Sequence, residues 1–363
     1  MNERKTAKLY NSITNVNSQF IEEAQTKMKK KRYGWLKWSA VAACLCLLTV
    51  GALNVGSLFL WRSGCGQTSH NVTFADGKMY YVYNNGVYLY EIDNSTQKKL
   101  TDFNGVLTQT HSGIYLTNES TGEVYFISDS TLTLVESITP DSTLIDVSDG
   151  KVYYRTYQND GAYSVVEKDL TTGTTSEVVS VSKGHMIAQK IINNELYYCT
   201  TENGGTISVI DIQTKDNKTI YNSPATNEFD MNSVMFFDDF ILIKTNQGLF
   251  SMGYHDEEAT FLSEYVPITG ALDYYDSKLY FEAAFPLNGD DEAYEYTEEL
   301  ISLDVQTGEI NTVTQLTNEN GTTRTYTEIV VCDSGYFYTE PSAAAGGLFF
   351  HSFDGEPEIA IRK

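Results

Sequence analysis

Asp76-Gly77-Lys78-Met79-Tyr80-Tyr81 is a turn dipeptide followed by alternating apolar and aromatic residues. Asp and Gly both tolerate the left-handed backbone that a two-residue hairpin turn needs, and an aromatic, alternating run after such a turn reads as a strand. The pattern decides the fold because it recurs. It returns as His111-Ser112-Gly113-Ile114-Tyr115-Leu116, Asp149-Gly150-Lys151-Val152-Tyr153-Tyr154 and Asn193-Asn194-Glu195-Leu196-Tyr197-Tyr198. Three more copies are Asp238-Asp239-Phe240-Ile241-Leu242-Ile243, Asp276-Ser277-Lys278-Leu279-Tyr280-Phe281 and Asp333-Ser334-Gly335-Tyr336-Phe337-Tyr338. The intervals are 35, 38, 44, 45, 38 and 57 residues, around the ~40–45 that one four-stranded propeller blade occupies.

A second element follows inside most units. Gly86-Val87-Tyr88-Leu89-Tyr90-Glu91-Ile92-Asp93 is a strand entered through glycine, and it ends in Asp-x-x-Thr. That ending occurs at Asp93/Thr96, Asp169/Thr172, Asp211/Thr214 and Asp304/Thr307, with Gly173 and Gly308 directly after two of the threonines. An aspartate can fold its carboxylate onto its own backbone and glycine supplies positive φ, so this is hairpin chemistry and not a site. Each unit therefore reads as strand, Asp-Gly-type turn, strand, loop, strand, Asp-x-x-Thr turn, strand.

One such sheet has two open faces and cannot stand alone, whereas sheets packed radially bury both faces. The coils of a parallel β-helix would be shorter and more regular. No helical pattern of useful length interrupts residues 71–363. The expectation is an all-β fold, a β-propeller of about seven four-stranded blades. The 57-residue interval is read as an insertion near Pro286–Glu299 and not as an eighth blade.

The composite pattern, D-G-K-φ-Y-φ followed by G-φ-Y-φ-φ-D-φ-x-T-G, resembles bacterial propellers of unknown function related to the low-density-lipoprotein-receptor-related β-propeller. The likeness spans nearly all of residues 71–363. The chain lacks the YWTD tetrapeptide of the eukaryotic receptors, so the resemblance implies the fold and not those receptors' ligands.

Upstream, Ser39 to Trp61 runs 23 residues without a charge. As a helix it spans ~35 Å, enough for a ~30 Å hydrocarbon core. Tyr33, Trp35 and Trp38 bracket one end, Phe59 and Trp61 the other, as suits headgroup interfaces. Lys27 to Arg32 holds five basic residues before the span, against the single Arg62 after it. The positive-inside rule then sets the N-terminus in the cytoplasm and the propeller outside. The domain reading is residues 1–37 as a cytoplasmic tail, 38–61 as a transmembrane signal anchor, 62–70 as a linker and 71–363 as the propeller. A cleaved or lipidated form is the rival. Val41-Ala42-Ala43-Cys44 has the look of a lipobox, but apolar sequence continues well past Cys44, unlike a signal peptide's short core.

In the tail, Leu9, Ile13, Val16 and Phe20 recur at helical spacing. A tail this short has nothing of its own against which to bury that stripe. It reads as a helix lying on the membrane surface or docking a cytoplasmic protein. The tail, basic cluster and anchor together resemble the N-termini of membrane-anchored Gram-positive proteins, some of them anti-sigma-like regulators. The resemblance implies a bacterial cell envelope and, as an alternative function, transmembrane signalling with the propeller as sensor.

Beyond Arg62 the chain carries 15 basic against 45 acidic residues. Such a surface repels phosphate backbones, which excludes nucleic acid as a partner. Five cysteines, Cys44, Cys46, Cys65, Cys199 and Cys332, show neither a CxxC pair nor a zinc spacing, and they read as unpaired or buried thiols.

His70, His111, His185, His255 and His351 are the only histidines, and the chain has no HExxH, GxSxG or GxxxxGK[ST] motif. No catalytic residue and no cofactor is expected, and the chain reads as not an enzyme. A carbohydrate-active lyase or hydrolase is the alternative. The densest acidic loop, Leu287 to Glu295, offers Asp290, Asp291 and Glu292 as weak metal candidates. Ca²⁺ wants several such oxygens, but a solvated, self-repelling tip is the plainer reading. Tyr157-Gln158-Asn159-Asp160-Gly161-Ala162-Tyr163 mixes aromatics with amide groups in a way that suits glycans or peptides. The expected function is a non-catalytic binding or scaffold module, tethered outside the membrane, for a protein, peptide or envelope glycan.

Overall fold

The computed structural model describes residues 71–362, apart from Asp93, Gly270 and the segments 159–161, 182–185, 202–204, 224–233, 287–295, 318–322 and 341–346. The tail, the span Ser39–Trp61 and the linker lie outside the described residues. Among the described residues no helix is long and apolar enough to cross a membrane.

Strand after strand, the chain lays down antiparallel meanders, because each Asp-Gly-type turn folds a strand back on its predecessor. Seven four-stranded sheets result, each from contiguous sequence. Blade one comprises Val72–Ala75, Lys78–Val82, Val87–Glu91 and Thr96–Lys99. The rest begin at Gly105, Thr143, Met186, Val234, Leu272 and Glu328. The first-to-second turns at Asp76-Gly77, Asp149-Gly150, Asn193-Asn194 and Asp276-Ser277 have positive φ at both positions, the geometry whose twist matches a hairpin. Asp169 accepts from the amides of Thr171 and Thr172 at 2.9 and 2.7 Å, and Asp211 and Asp304 repeat this with Gln213, Thr214, Gln306 and Thr307. The fourth expected copy falls on Asp93, outside the described residues.

The period-2 alternation fixes the packing. On the second strand of blade one, Met79 and Tyr81 face blade seven, while Tyr80 between them faces blade two. The residue at this forward-facing place is Tyr115, Tyr153, Tyr197, Leu242, Tyr280 and Phe337 in the following blades. In five of the seven blades the residue presented to the next is therefore a tyrosine of the sequence motif, with Leu242 and Phe337 in its place in blades five and seven. Seven separate apolar clusters form, one per blade–blade interface. Full burial of one large apolar side chain contributes about 1.5–3 kcal/mol.

The outermost strand of each blade is the exposed edge, and Thr96–Lys99 is exposed throughout. In blades two to seven the third and fourth strands are offset by a β-bulge. A bulged edge twists away from further pairing, which protects against edge-to-edge association.

The 57-residue interval holds one blade with a lengthened hairpin. Lys278–Pro286 and Tyr296–Asp304 are nine residues each and stay paired to Pro286↔Tyr296. The expected insertion near Pro286–Glu299 is thus partly strand, since Tyr296 to Glu299 belong to the ladder.

Ring closure involves no shared sheet. Val72, Met79 and Tyr81 of blade one pack on Val330, Cys332, Phe337, Leu348 and Phe350 of blade seven. The Phe74 and Phe337 rings lie 5.9 Å apart. At the rim, the Asn71 backbone and side-chain N–H groups both donate to Glu328 Oε1 at 3.2 Å.

Meander geometry also sorts the connections between the two ends of the ring. Turns from first to second and from third to fourth strand lie at one end and are short. Loops from second to third strand, and crossings to the next blade, lie at the other. Among the described residues, that end carries 264–269 and 323–327 of the crossings that flank blade six. Function in rigid scaffolds concentrates on such loops.

Candidate functional site

The crossing 316–327 leaves the outer strand of blade six, Ile310–Gln315, and enters the inner strand of blade seven, Glu328–Cys332. Several hydrogen bonds hold it in place. Leu316 N–H donates to the Glu298 carbonyl at 2.8 Å, and Arg324 N–H to the Leu316 carbonyl at 3.1 Å. Tyr326 N–H donates to Glu282 Oε1 at 2.6 Å. Glu282 is fully buried, and its carbonyl accepts from Ile268 N–H at 3.1 Å. One residue thus ties both crossings that flank blade six. Burial pushes its carboxyl above the ordinary range, against the Tyr326 amide and the Thr269 hydroxyl, which favour the charged form.

Between this crossing and blade seven lies a cavity of about 420 Å³, lined by Thr314, Gln315, Leu316, Arg324, Tyr326, Tyr336, His351 and Glu358. Its size falls within the ~300–1,000 Å³ of ordinary small-ligand sites. Alternation on blade seven builds one wall, because Tyr336 pairs with His351 and Tyr338 with Phe349, putting all four on the face towards blade six. The Tyr336 ring stacks on His351 at 5.1 Å, and Tyr338 on Phe349 at 5.3 Å. Tyr326 closes on Tyr338 with ring centroids 4.3 Å apart.

The polar rim is a charge network. Arg324 Nη1 lies 2.9 Å from Glu358 Oε2 and 3.2 Å from the Tyr338 hydroxyl, with Glu340 at 3.6 Å from Nε. Tyr338 donates its hydroxyl to Glu358. Burial raises the Glu358 pKa, but the Tyr338 hydroxyl and Arg324 outweigh it and hold the carboxyl below its ordinary value. Burial pushes the Tyr336 phenol up to about 12, and it raises Tyr326 and Tyr338 as well. At neutral pH these phenols are protonated donors around a carboxylate–guanidinium pair. The arrangement can stack a flat group and bind a charged or hydroxylated one. His351, which no sequence motif singles out, sits in a strand at this cavity.

The other expected features fall elsewhere. Asp290, Asp291 and Glu292 lie outside the described residues, as do His70 and His185. Among the described residues no group of three or more His, Cys, Asp or Glu is placed to hold a metal ion. Cys199 and Cys332 are free and buried, and burial raises both thiols. Tyr157 and Tyr163 meet edge-on at 5.0 Å, with the Arg155 guanidinium 5.1 Å from the Tyr163 ring centre.

These blades and their contiguous sheets define a seven-bladed β-propeller. No protein-family model matches the chain, and no curated protein matches it. Solved structures do. A puromycin hydrolase S511A mutant complexed with PGG aligns at TM-score 0.56 and 9% identity, over 81% of this chain and 53% of its own. A prolyl endopeptidase aligns at 0.53 and 10%, over 82% and 50%. An oligogalacturonate lyase in complex with manganese aligns at 0.51 and 12%, over 76% and 85%. The chain spans about half the length of the first two.

The expectation that the chain is not an enzyme is corrected by these matches. The same propeller occurs in a hydrolase, an endopeptidase and a lyase, so the absence of short catalytic motifs is no ground for excluding catalysis. At such identities the likeness shows the fold and assigns no activity.

Proposed function

We propose that the chain is a membrane-tethered, extracytoplasmic binding module that engages a peptide segment of another envelope protein, with the cavity between blades six and seven as its ligand seat. The observation that carries this reading is the cavity itself. Tyrosine rings wall a space of about 420 Å³, and Arg324, His351 and Glu358 converge on it. Few, convergent polar groups on aromatic walls are what a binding site needs. Tethering rests on the uncharged span Ser39–Trp61 and the basic cluster before it. The signalling alternative rests on the apolar stripe of the tail, Leu9 to Phe20.

The test is photo-crosslinking in living cells from the full chain, with a photoreactive residue at Thr314 or, as control, at Asp149 in a tight turn at the other end of the ring. An adduct specific to Thr314, abolished by Tyr336→Ala, supports the reading. Equal labelling from both positions, or none from Thr314, overturns it. Retention of the adduct after deleting residues 1–26 would separate the extracytoplasmic role from tail-based signalling.

A further inference from the structure

We infer that the cavity between blades six and seven is a receptor for a cationic side chain, an arginine of a partner peptide, and that Arg324 is its built-in competitor. The inference rests on the seat proposed above. A guanidinium already occupies the site's acidic subsite in this structure. Arg324 reaches Glu358 at 2.9 Å and Glu340 at 3.6 Å, and its Nη1 lies 3.2 Å from the Tyr338 hydroxyl. The acidic side chains are less exposed than the guanidinium they share. Glu340 and Glu358 are 18% and 29% exposed at the side chain, and Tyr338 is buried among Tyr326, Tyr336 and Phe349.

Arg324 itself is 53% exposed, and it stands on a crossing, not on a strand of a blade. Exposed ion pairs are worth little, so such a side chain exchanges readily. Once it leaves, two carboxylates, a phenol and the rings of Tyr326 and Tyr336 remain, a set that favours a cation through charge and ring electrostatics together.

Charge selects the occupant further. With Arg324 in place the subsite carries two carboxylates against one guanidinium. The chain beyond Arg62 carries 45 acidic against 15 basic residues. A field of that sign draws cationic ligands in and turns carboxylate-bearing ones away. An arginine offers the planar fork that pairs with a carboxylate and stacks on a ring, which a point-charge ammonium matches less well.

A competitor within the chain has a thermodynamic signature. An external arginine binds only the fraction of molecules in which Arg324 has vacated, so apparent affinity is lowered by that fraction and restored when the competitor is removed. The experiment is isothermal titration of the full chain in detergent micelles, using a short peptide with one arginine and the same peptide with citrulline in its place. Wild type, Arg324→Ala and Glu358→Gln are compared, with melting curves confirming that each is folded.

Arg324→Ala is expected to bind the arginine peptide about tenfold more tightly than wild type. The citrulline peptide should bind much more weakly to both, and Glu358→Gln should weaken the arginine peptide. A folded Arg324→Ala that binds no better, or a citrulline peptide that binds as well, overturns the inference. Binding of neutral oligosaccharides that Arg324→Ala weakens would also overturn it, yet would keep the cavity as a ligand seat. If no peptide or saccharide binds any folded variant, the seat itself falls too.

Discussion

Glu282 Oε1 accepts the Tyr326 amide at 2.6 Å, whereas Glu282 Oε2, equally buried, has no hydrogen-bond partner among the described residues. A carboxyl group thus sits in the protein interior with its two oxygens unequally satisfied, at the point where the crossing 316–327 is fastened to blade six. Leaving a buried acceptor unsatisfied is costly for a charge, and accordingly the group favours its proton.

Two variants separate the anchor from the charge. Glu282→Ala removes the acceptor for a buried amide, and a loss of roughly 1–3 kcal/mol is expected. Glu282→Gln keeps an acceptor oxygen and removes the charge, so its loss should be smaller at neutral pH. The pH dependence has a definite sign. Because the folded-state pKa lies above the ordinary 4.5, the contribution of this group is fully present below that value and is lost as pH rises through the folded pKa. Melting curves of wild type and Glu282→Gln across this window should converge towards a constant gap at high pH. A gap that does not vary with pH would show that Glu282 titrates normally.

The exposed aspartates of the Asp-x-x-Thr turns predict the opposite slope. Backbone amides two and three residues on hold Asp169, Asp211 and Asp304 below the ordinary 3.8, the amide of Thr172, Thr214 or Thr307 first in each case. Their contribution is present above 3.8 and is lost as pH falls through the folded pKa values. The triple variant Asp169→Asn, Asp211→Asn, Asp304→Asn should melt lower than wild type at neutral pH, and the difference should narrow in acid. Parallel curves down to pH 2 would contradict this account.

Ring closure is the third point of test. Blades one and seven share no sheet and meet chiefly through packed side chains, so Phe337, which is fully buried and contacts both Phe74 and Phe350, bears directly on it. Phe337→Ala should cost about 3–5 kcal/mol. Hydrogen exchange should show the loss concentrated in the amides of blades one and seven, because each blade otherwise touches only its neighbours. Uniform loss of protection around all seven blades would mean that the ring unfolds as one unit.

What could be read from the sequence follows from how local its cause is. Tyr80, Tyr115 and Tyr153 recur after a turn because the second strand of each blade must show a large apolar or aromatic residue to the next blade, and period-2 alternation together with turn chemistry lies within a few residues. The cavity has no such signature. Gln315 belongs to blade six, Arg324 and Tyr326 to a crossing, and Tyr336, His351 and Glu358 to blade seven or its turn. Only radial packing brings them together. The acidic loop at Asp290 drew notice because its charges are contiguous, while Glu340 and Glu358, which share one arginine, stand far apart in the chain.

Gly335 joins the fold to the site and supports the last prediction. A Cβ there would lie 2.0 Å from the His351 carbonyl oxygen and 2.9 Å from the Phe350 ring. The first of these is backbone of the adjoining strand and has no rotamer by which to yield. Gly335→Ala must therefore push apart the second and third strands of blade seven, at the level where Tyr336 stacks on His351. Overpacking of this kind costs about 1–3 kcal/mol, and here it falls on two residues of the cavity wall. Gly77 is the control. Its φ is +73° with nothing within 4 Å of a Cβ, so Gly77→Ala is strained only by its own backbone, by roughly 1 kcal/mol. Both variants should melt below wild type, but only Gly335→Ala should also weaken binding of the arginine peptide. Equal effects of the two on binding would detach the cavity from the packing of blade seven.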